Sequence, residues 1–369
     1  MDTDIKLEMN ITAILTQATG RKASDVHLTV GRPPMIRLSG KLVPLLEHVL
    51  TAEDTQSLVF SMLTPEQQQR YLQDHELDLS YTVPDVSRFR VNCYFQKGGM
   101  AAALRGIPSI IPTMEEIGLP PICAEFIRLR NGLVLVTGPT GSGKSTTLAA
   151  MINAINRERE CHILTIEDPI EFVYQHQKAM VNQREVGAHT RSFANALRSL
   201  LREDPNVVLV GEMRDLETIA ATITIAETGH LVFGTLHTLD AAQTVDRIID
   251  VFPPYQQQQI RAMLAGALRG VVCQQLIPRK DGKGRLAARE ILLVTNAIGN
   301  MIREGKTHQI YSVIQTSGQL GMTTMEQSVN QLMQKGLITY ETAVANVNDP
   351  KAITKPMTGP TAPTVSVTR

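Results

Sequence analysis

The sequence has no surplus of charge of either sign. Its 36 lysine and arginine residues equal its 36 aspartate and glutamate residues. Proteins that track nucleic acid usually carry a basic excess or a basic stripe, and none stands out here. The balance therefore argues against a nucleic-acid partner, with a RecA-type translocase kept as an alternative from another functional class.

Cysteine pairs and long apolar runs are also missing. The four cysteines are scattered and form no CxxC pair, so they suit neither a zinc knuckle nor a disulfide framework. The first residues lack a basic segment followed by an apolar core, so we expect no secretory signal. The longest apolar stretches, such as residues 133–136 and 207–210, are too short to span a bilayer. These features predict a cytoplasmic protein without direct membrane insertion, which reaches the inner membrane only through partners.

The chain is long enough for two domains, because 369 residues with 43% hydrophobic and 20% charged residues can build two packed cores. Residues 1–112 are predicted to form a small α+β domain, with a strand meander and flanking helices. Residues 113–121 are predicted to be a linker, since the surrounding stretch is rich in proline. Residues 349–369 are rich in proline and threonine, which is typical of a disordered tail. The strands expected in the first domain cover residues 26–30, 35–38, 77–83 and 89–95, with another after residue 99, and the helices cover 11–18 and 51–73.

Residues 122–348 alternate between short apolar strands and helical segments. Buried strands separated by helices indicate a parallel sheet that is covered on both faces, so the predicted fold class is α/β. The expected strands cover residues 133–137, 163–166, 207–210 and 231–235, and the helix after the first of them covers 145–157.

A glycine-rich loop follows the first of these strands and opens the helix. The pattern is Gly138-x4-Gly143-Lys144-Ser145, and its strand–loop–helix context is typical of a phosphate-binding P-loop. The glycines allow backbone N–H groups to turn toward phosphate oxygens, and the helix presents its positive end to the same anion. Lys144 is expected to contact the β- and γ-phosphates of ATP, and the Ser145 hydroxyl to bind Mg²⁺. The predicted nucleotide-binding residues are Gly138, Pro139, Thr140, Gly141, Ser142, Gly143, Lys144, Ser145 and Thr146.

Acidic residues follow two of the other strands. Glu212 lies just after residues 207–210, at the strand end where ligands bind in such sheets. It could orient or deprotonate the attacking water, or hold the metal through water. Glu167 and Asp168 follow residues 163–166 in the same way; alone they could be an ordinary acidic turn, but beside a P-loop they are candidate site residues.

Two histidines flank the strand at residues 231–235. His237 stands at its carboxyl end, where a neutral imidazole could sense the terminal phosphate. His230 stands at the opposite end, and a lone histidine is more often a structural residue.

Arginines that could stabilise transition-state charge occur in two regions. Arg191, Arg198 and Arg202 are spaced to share one face of a helix predicted over residues 190–203. Arg88 and Arg90 alternate along a strand, so both point to one side. Such arginines can act as fingers supplied by a neighbouring subunit, but salt bridges or a solvated basic face explain them equally. The apolar residues expected on the core side of the helix are Phe193, Leu197, Leu200 and Leu201.

Several long motifs in fixed order resemble the secretion ATPases of the type II/type IV pilus superfamily, most closely its pilus retraction, or twitching-motility, members. The resemblance runs from about residue 24 to residue 349. The matching segments are residues 24–27, the P-loop, an "Asp box" at 163–174, residues 181–187, a Walker B segment at 207–215 and a "His box" at 229–238.

The resemblance implies a RecA-like P-loop motor domain with a smaller PAS-like α+β N-terminal domain. It implies a homohexameric ring that binds ATP and Mg²⁺ between domains and subunits and docks on an inner-membrane pilus platform protein. It also implies that Glu212 is the catalytic glutamate and a metal-site residue with Ser145, that Glu167 assists, and that His237 approaches the phosphates. The arginine candidates that it implies are Arg88, Arg90, Arg191 and Arg202.

Extension and secretion members of this superfamily typically carry extra N-terminal domains and a four-cysteine metal motif, and this sequence has neither, which favours retraction. The retraction signature usually reads Ala-Ile-Arg-Asn-Leu-Ile-Arg, whereas residues 297–303 have Gly299 at the first arginine position. The alternatives kept open are an accessory retraction paralogue, a pilus assembly or secretion ATPase, and a non-hydrolysing assembly subunit.

Overall fold

The computed structural model describes residues 10–38, 40–107 and 110–354. The chain divides into two compact units. The first contains Met1–Ile111, Glu167–Gln175 and Gln183–His189, and the second contains Pro112–Ile166, His176–Asn182 and Thr190–Arg369. The segment predicted as a linker thus groups with the second unit, and two short segments from the middle of the chain group with the first.

The first unit is built on a six-stranded antiparallel sheet with the order β3-β2-β1-β6-β5-β4. The predicted helix over residues 51–73 is two helices, because Thr64 caps a new helix and Pro65 occupies its first turn. The elements are α1 Ile11–Gly20, β1 Asp25–Leu28, β2 Met35–Leu38, β3 Lys41–Pro44, α2 Ala52–Phe60, α3 Pro65–Asp74, β4 Glu76–Val83, β5 Ser87–Gln96 and β6 Gly99–Ile107.

The second unit is built on a seven-stranded sheet with the order β13-β12-β7-β11-β10-β8-β9. Strand β7 is Gly132–Thr137, β8 is His162–Glu167, β9 is Met180–Glu185, β10 is Val207–Val210, β11 is Leu231–Leu236, β12 is Leu268–Pro278 and β13 is Arg285–Leu293. The helices are α4 Ile122–Arg128, α5 Lys144–Glu158, α6 Phe193–Leu200, α7 Leu216–Glu227, α8 Ala241–Asp250, α9 Pro254–Ala267, α10 Asn296–Arg303, α11 Ile310–Thr316, α12 Met325–Gln334 and α13 Tyr340–Ala345.

The middle of this sheet is parallel. Among its five strand pairs with a defined register in the described residues, only β12 and β13 are antiparallel. Every residue of β7, β10 and β11 is buried, as expected for strands covered on both faces. The α/β class and the parallel sheet predicted from the sequence are confirmed. The carboxyl ends of β7, β11, β10 and β8 consequently lie along one edge.

The helix predicted over residues 190–203 is shorter than expected. Ser192 caps it and α6 ends at Leu200, so Arg191 precedes the helix and Arg202 follows it. The shared helix face inferred for these arginines is therefore wrong. Leu197 and Leu200 are buried as predicted, but Leu201 is 47% exposed and does not join the core.

Packing continues past residue 349, where the predicted disordered tail begins. Ile353 is 5% exposed and packs with Val329 and Met333 of α12. The predicted disordered tail, residues 349–369, therefore contains one buried residue, and the part beyond residue 354 lies outside the described residues. In the described ranges, no helix has both the length and the apolar character needed to cross a membrane.

Candidate nucleotide-binding site

Three glycines between β7 and α5 make the backbone conformation of the phosphate loop possible. Gly138, Gly141 and Gly143 have φ of 140°, 77° and 87°, a region that residues with a Cβ rarely adopt. Space also demands glycine at two of them. A Cβ on Gly138 would lie 2.1 Å from the Gln274 carbonyl oxygen, and one on Gly143 would lie 2.9 Å from the Gln274 side-chain nitrogen.

The loop is open to an anion at the amino end of α5. Gly143 is the N-cap residue, and it has no side chain to accept from the first-turn N–H groups. The outer loop residues Pro139, Thr140 and Gly141 are exposed. Lys144 Nζ donates to the carbonyl oxygens of Gly138 and Pro139, at 2.7 and 3.1 Å. The lysine charge is thus held against the loop that is predicted to bind phosphate.

Glu212 and His237 come together at the ends of adjacent strands. Because β10 and β11 pair in parallel, the residues that follow them are neighbours, and His237 Nε2 lies 3.0 Å from Glu212 Oε1. Arg214 Nε lies 2.5 Å from the same oxygen. Burial opposes ionisation of Glu212, but the hydrogen bond and charge of Arg214, with those of His237, lower its pKa below the usual 4.5. Glu212 is therefore an ionised carboxylate at neutral pH.

Glu167 is the last residue of β8 and belongs to the first unit. It is 8% exposed, and Gln183 Nε2 donates to its Oε1 at 3.1 Å. The backbone N–H of Glu171 approaches its other oxygen at 3.4 Å. Gln183 of β9 and the backbone of Glu171 thus both contact this carboxylate, and its assisting role stays a prediction.

His230 lies at the amino end of β11, as predicted. Its Nδ1 lies 3.1 Å from the carbonyl oxygen of Ile225 and 3.2 Å from the Thr228 hydroxyl. These contacts join the end of α7 to the start of the strand, so they support a structural role.

The two arginines of β5 differ in their surroundings. Arg88 donates at 2.6 Å to Glu185 Oε2 and at 2.6 Å to the Ser80 hydroxyl, all within the first unit. The Glu185 side chain is only 5% exposed. Arg90, two residues along the strand, is exposed. Arg88 is therefore engaged in an ion pair, while Arg90 faces solvent.

The candidates beside α6 also face solvent. Arg191 and Arg202 are exposed. Arg198, which lies on the helix between them, pairs with Glu217 of α7. The predicted role of Arg191 and Arg202 as arginine fingers is not tested by this geometry.

The residues present fit a magnesium nucleotide. The left-handed glycines, the uncapped helix start and Lys144 form an anion site, and Ser145 supplies a hydroxyl in the first turn. Among the described residues, no three His, Cys, Asp or Glu side chains are arranged to hold a metal ion. Ser145 and Glu212 stay the predicted protein ligands of Mg²⁺, and both offer the oxygen atoms that this ion prefers.

Comparison with known proteins decides the family. The family model for Type II/IV secretion system proteins matches residues 2–345. The chain belongs to this family. Its secretion ATPase resemblance is therefore confirmed at the family level.

Individual members of the family are similar over nearly their whole length. The chain is 51% identical to the type IV pilus retractation ATPase PilT of Pseudomonas aeruginosa, over 91% of this chain and 97% of that protein. It is 39% identical to the type IV pilus ATPase PilU of the same organism, over 92% and 89%. A crystal structure of the pilus retraction motor PilT with bound ADP matches with a TM-score of 0.87 and 49% identity, over 93% of this chain and 98% of that one. The RecA-like fold expected from the sequence is thereby confirmed.

Sequence reasoning missed three residues that shape the site. Arg214 pairs with Glu212, and its position two residues later in the same segment could have suggested this. Gln274 of β12 contacts the phosphate loop, and Arg289 of β13 contacts Gln274. Their spacing of fifteen residues matches no motif, so only the fold brings them to the loop.

Proposed function

We propose that this chain is a Mg²⁺-dependent ATPase that powers type IV pilus retraction as a homohexamer docked on an inner-membrane platform protein. The observation that carries the ATPase proposal is the open phosphate loop with an ionised glutamate and a histidine at the neighbouring strand ends. Membership of the secretion family, and 51% identity to a PilT that matches over 97% of its length, support the retraction role.

The loop and Lys144 are proposed to hold the phosphates of ATP. The backbone N–H groups of the loop and the positive end of α5 face an anion without side-chain capping. Lys144 already lies over the loop through its two carbonyl contacts. When the Lys144 ammonium moves from these neutral carbonyl oxygens to phosphate oxygens, its hydrogen bonds become stronger, because the acceptor is then charged as well. When bound, Mg²⁺ would neutralise phosphate charge beside Ser145.

Glu212 is proposed to position the attacking water and accept its proton. Its low pKa keeps it ionised, and His237 at 3.0 Å holds one oxygen in place. The second oxygen can then accept from water. Arg214 is 75% exposed, so it can move from Glu212 without losing a buried environment.

Arginines from elsewhere in the ring are proposed to complete the site. Arg90, Arg191 and Arg202 are exposed and thus accessible to another subunit, whereas Arg88 is paired with Glu185 and would have to leave it. Such arginines contribute about 10³–10⁵ in rate in known cases. Glu167 is proposed to assist from the end of β8.

Two substitutions separate binding from chemistry. Lys144→Ala should lose ATP binding, whereas Glu212→Gln should keep binding and lose turnover by at least about 100-fold. Glu227→Gln changes an exposed glutamate on α7 and should keep the parent rate. Parent-like hydrolysis in either of the first two proteins contradicts the mechanism. Zero turnover in the unmodified protein would instead favour a non-hydrolysing assembly subunit.

The hexameric state and the retraction role each need a separate experiment. Native mass with and without ATP should show a hexamer, and a persistent monomer contradicts the ring. Deleting the gene should make surface pili accumulate if the protein retracts them, whereas loss of pili would show an assembly role.

Gly299 favours a second candidate, an accessory retraction ATPase. It is buried in α10, and a Cβ there would lie 3.4 Å from the carbonyl oxygen of Ala265 in α9. A long side chain at this position would need the two helices to separate. The deletion strain decides between the two roles. Complete loss of twitching indicates the main motor, and weakened retraction that persists indicates the accessory one.

A further inference from the structure

Beneath the phosphate loop, a buried amide and a buried guanidinium are hydrogen-bonded to each other. Gln274 of β12 and Arg289 of β13 face each other across the antiparallel pair. They are 3% and 5% exposed. Burying these polar side chains is unfavourable unless each polar group is satisfied, so their partners indicate what they do.

Gln274 holds both sides of the loop-to-helix junction. Its Nε2 donates to the carbonyl oxygen of Ser142 at 2.6 Å, and its Oε1 accepts from the Thr147 hydroxyl at 2.8 Å. The same amide fills the space that a Cβ on Gly143 would need. One side chain thus fixes the last loop carbonyl before Gly143 and the first turn of α5.

Arg289 determines which way that amide points. Its Nε donates to Gln274 Oε1 at 2.8 Å. A guanidinium has no acceptor, so the atom that faces it must be the amide oxygen. The Thr147 hydroxyl can donate or accept and imposes no orientation. With the amide reversed, its NH₂ group would face a cation and its oxygen would face the Ser142 carbonyl, and both contacts are repulsive.

Arg289 also holds the segment that leads into α4. Its two terminal nitrogens donate to the carbonyl oxygens of Gly118 and Ile117, at 2.8 and 2.9 Å. All three oxygens that it contacts are neutral. The guanidinium thus fixes the Gln274 amide and the segment before α4 at the same time.

We propose that Arg289 is a positioning residue for nucleotide binding, which acts by orienting Gln274 so that its amide holds the phosphate loop in the phosphate-binding conformation. This inference rests on the proposed ATPase function. It assigns a role in ATP affinity to two residues outside the loop.

A double-mutant cycle tests whether the two residues act in series. Arg289→Met and Gln274→Met should each weaken ATP affinity roughly tenfold, the size expected for one hydrogen bond at the upper end of its range. Because one acts through the other, the double variant should also lose roughly tenfold, whereas independent effects would multiply to roughly a hundredfold. Arg279→Met removes a half-buried arginine that lies beyond the end of β12 and pairs with Asp281, and this variant should bind like the parent.

Gln274→Glu tests whether Gln274 positions the phosphate loop for ATP or only stabilises the fold. A carboxylate keeps the contacts with Arg289 and Thr147 and adds an ion pair, but it cannot donate to the Ser142 carbonyl. The added ion pair offsets the lost donation to the Ser142 carbonyl, so we expect thermal stability close to that of the parent, with ATP affinity weakened roughly tenfold. Arg289→Lys should recover part of the affinity lost in Arg289→Met, since an ammonium also only donates.

The measurement is equilibrium binding of a fluorescent ATP analogue to the full chain, with thermal melting as the check on folding. Parent-like affinity in Gln274→Glu, or multiplicative losses in the cycle, overturns the positioning role. If the methionine variants do not fold, Gln274→Glu and Arg289→Lys still decide the matter. Failure of the unmodified chain to bind the analogue would refute the proposed function itself, which is a distinct outcome.

Discussion

A buried carboxyl group near the loop should make the stability of the second unit depend on pH. Glu290 of β13 is 2% exposed at a cavity of about 520 Å³ that reaches Pro139 and Gln274. Burial raises its pKa from the usual 4.5 to about 7, assisted by the charges of Asp240 and Glu326, although the Ala241 N–H at 2.8 Å opposes the rise. The other titratable groups near this cluster are Cys273, Tyr311 and Asp246.

The sign follows from which state holds the proton. Between pH 4.5 and 7 the folded chain keeps Glu290 protonated while the unfolded chain ionises it. The contribution of Glu290 to the free energy of unfolding is therefore fully present below pH 4.5 and is lost as pH rises through about 7. Between about pH 5 and pH 8 the free energy of unfolding falls by about 2–3 kcal/mol, or about 5–10 °C in Tm for a unit of this size.

Glu290→Gln removes this titration while keeping an acceptor for the Ala241 N–H. As pH rises from about 5 to about 8, the Tm of this variant should fall by about 5–10 °C less than the Tm of the parent. Thermal unfolding measures both values. Groups shared by both proteins cancel in that comparison. Glu227→Gln, at an exposed position, should follow the parent at every pH. Parallel Tm profiles for the parent and Glu290→Gln would refute the reasoning.

Three further substitutions test packing and charge, each by thermal unfolding. Gly299→Ala should raise stability by up to about 1 kcal/mol through helix propensity, since the nearest atom to the added Cβ is 3.4 Å away; a lower Tm would contradict this. Arg88→Ala should destabilise the first unit by about 3 kcal/mol, because it leaves the buried Glu185 carboxylate without its cation, and Arg88→Lys should recover part of the loss. Gly270→Ala should cost about 2 kcal/mol, because its Cβ would lie 2.3 Å from the Phe126 ring, and an unchanged Tm would exclude that overlap.

The phosphate site could be predicted from the sequence because its signals are local. An apolar strand, three glycines, Lys144 and a helix are consecutive in the chain, so their spacing alone predicts where the loop lies. The positions of Glu212 and His237 at the carboxyl ends of β10 and β11 were also predictable, since His237 follows its buried strand directly and Glu212 follows with one residue between them. Their 3.0 Å contact was not predictable, because it depends on β10 lying next to β11. The roles of both residues stay predictions.

The errors also have local physical causes. The helix predicted around Arg198 is longer than α6 because charge spacing carries no information about where a helix begins and ends. Ser192 is a good N-cap, and Asp204 has a φ of 51° before Pro205, a residue that disfavours helical conformation in its predecessor. The β12–β13 hairpin was missed although its turn contains Asp281-Gly282, a common hairpin signal.

The conformation of the phosphate loop cannot come from the loop sequence alone. Glycines make positive φ possible, but they also enlarge the number of conformations that the unfolded loop can adopt, so something else must select one. In this chain the selection comes from β12, whose Gln274 contacts Ser142 and Thr147 from 132 and 127 residues away. The phosphate-binding motif is thus encoded in the eight consecutive residues 138–145, whereas the geometry of the loop depends on a distant hairpin. Variants of that hairpin should therefore change ATP affinity without altering any residue that contacts ATP.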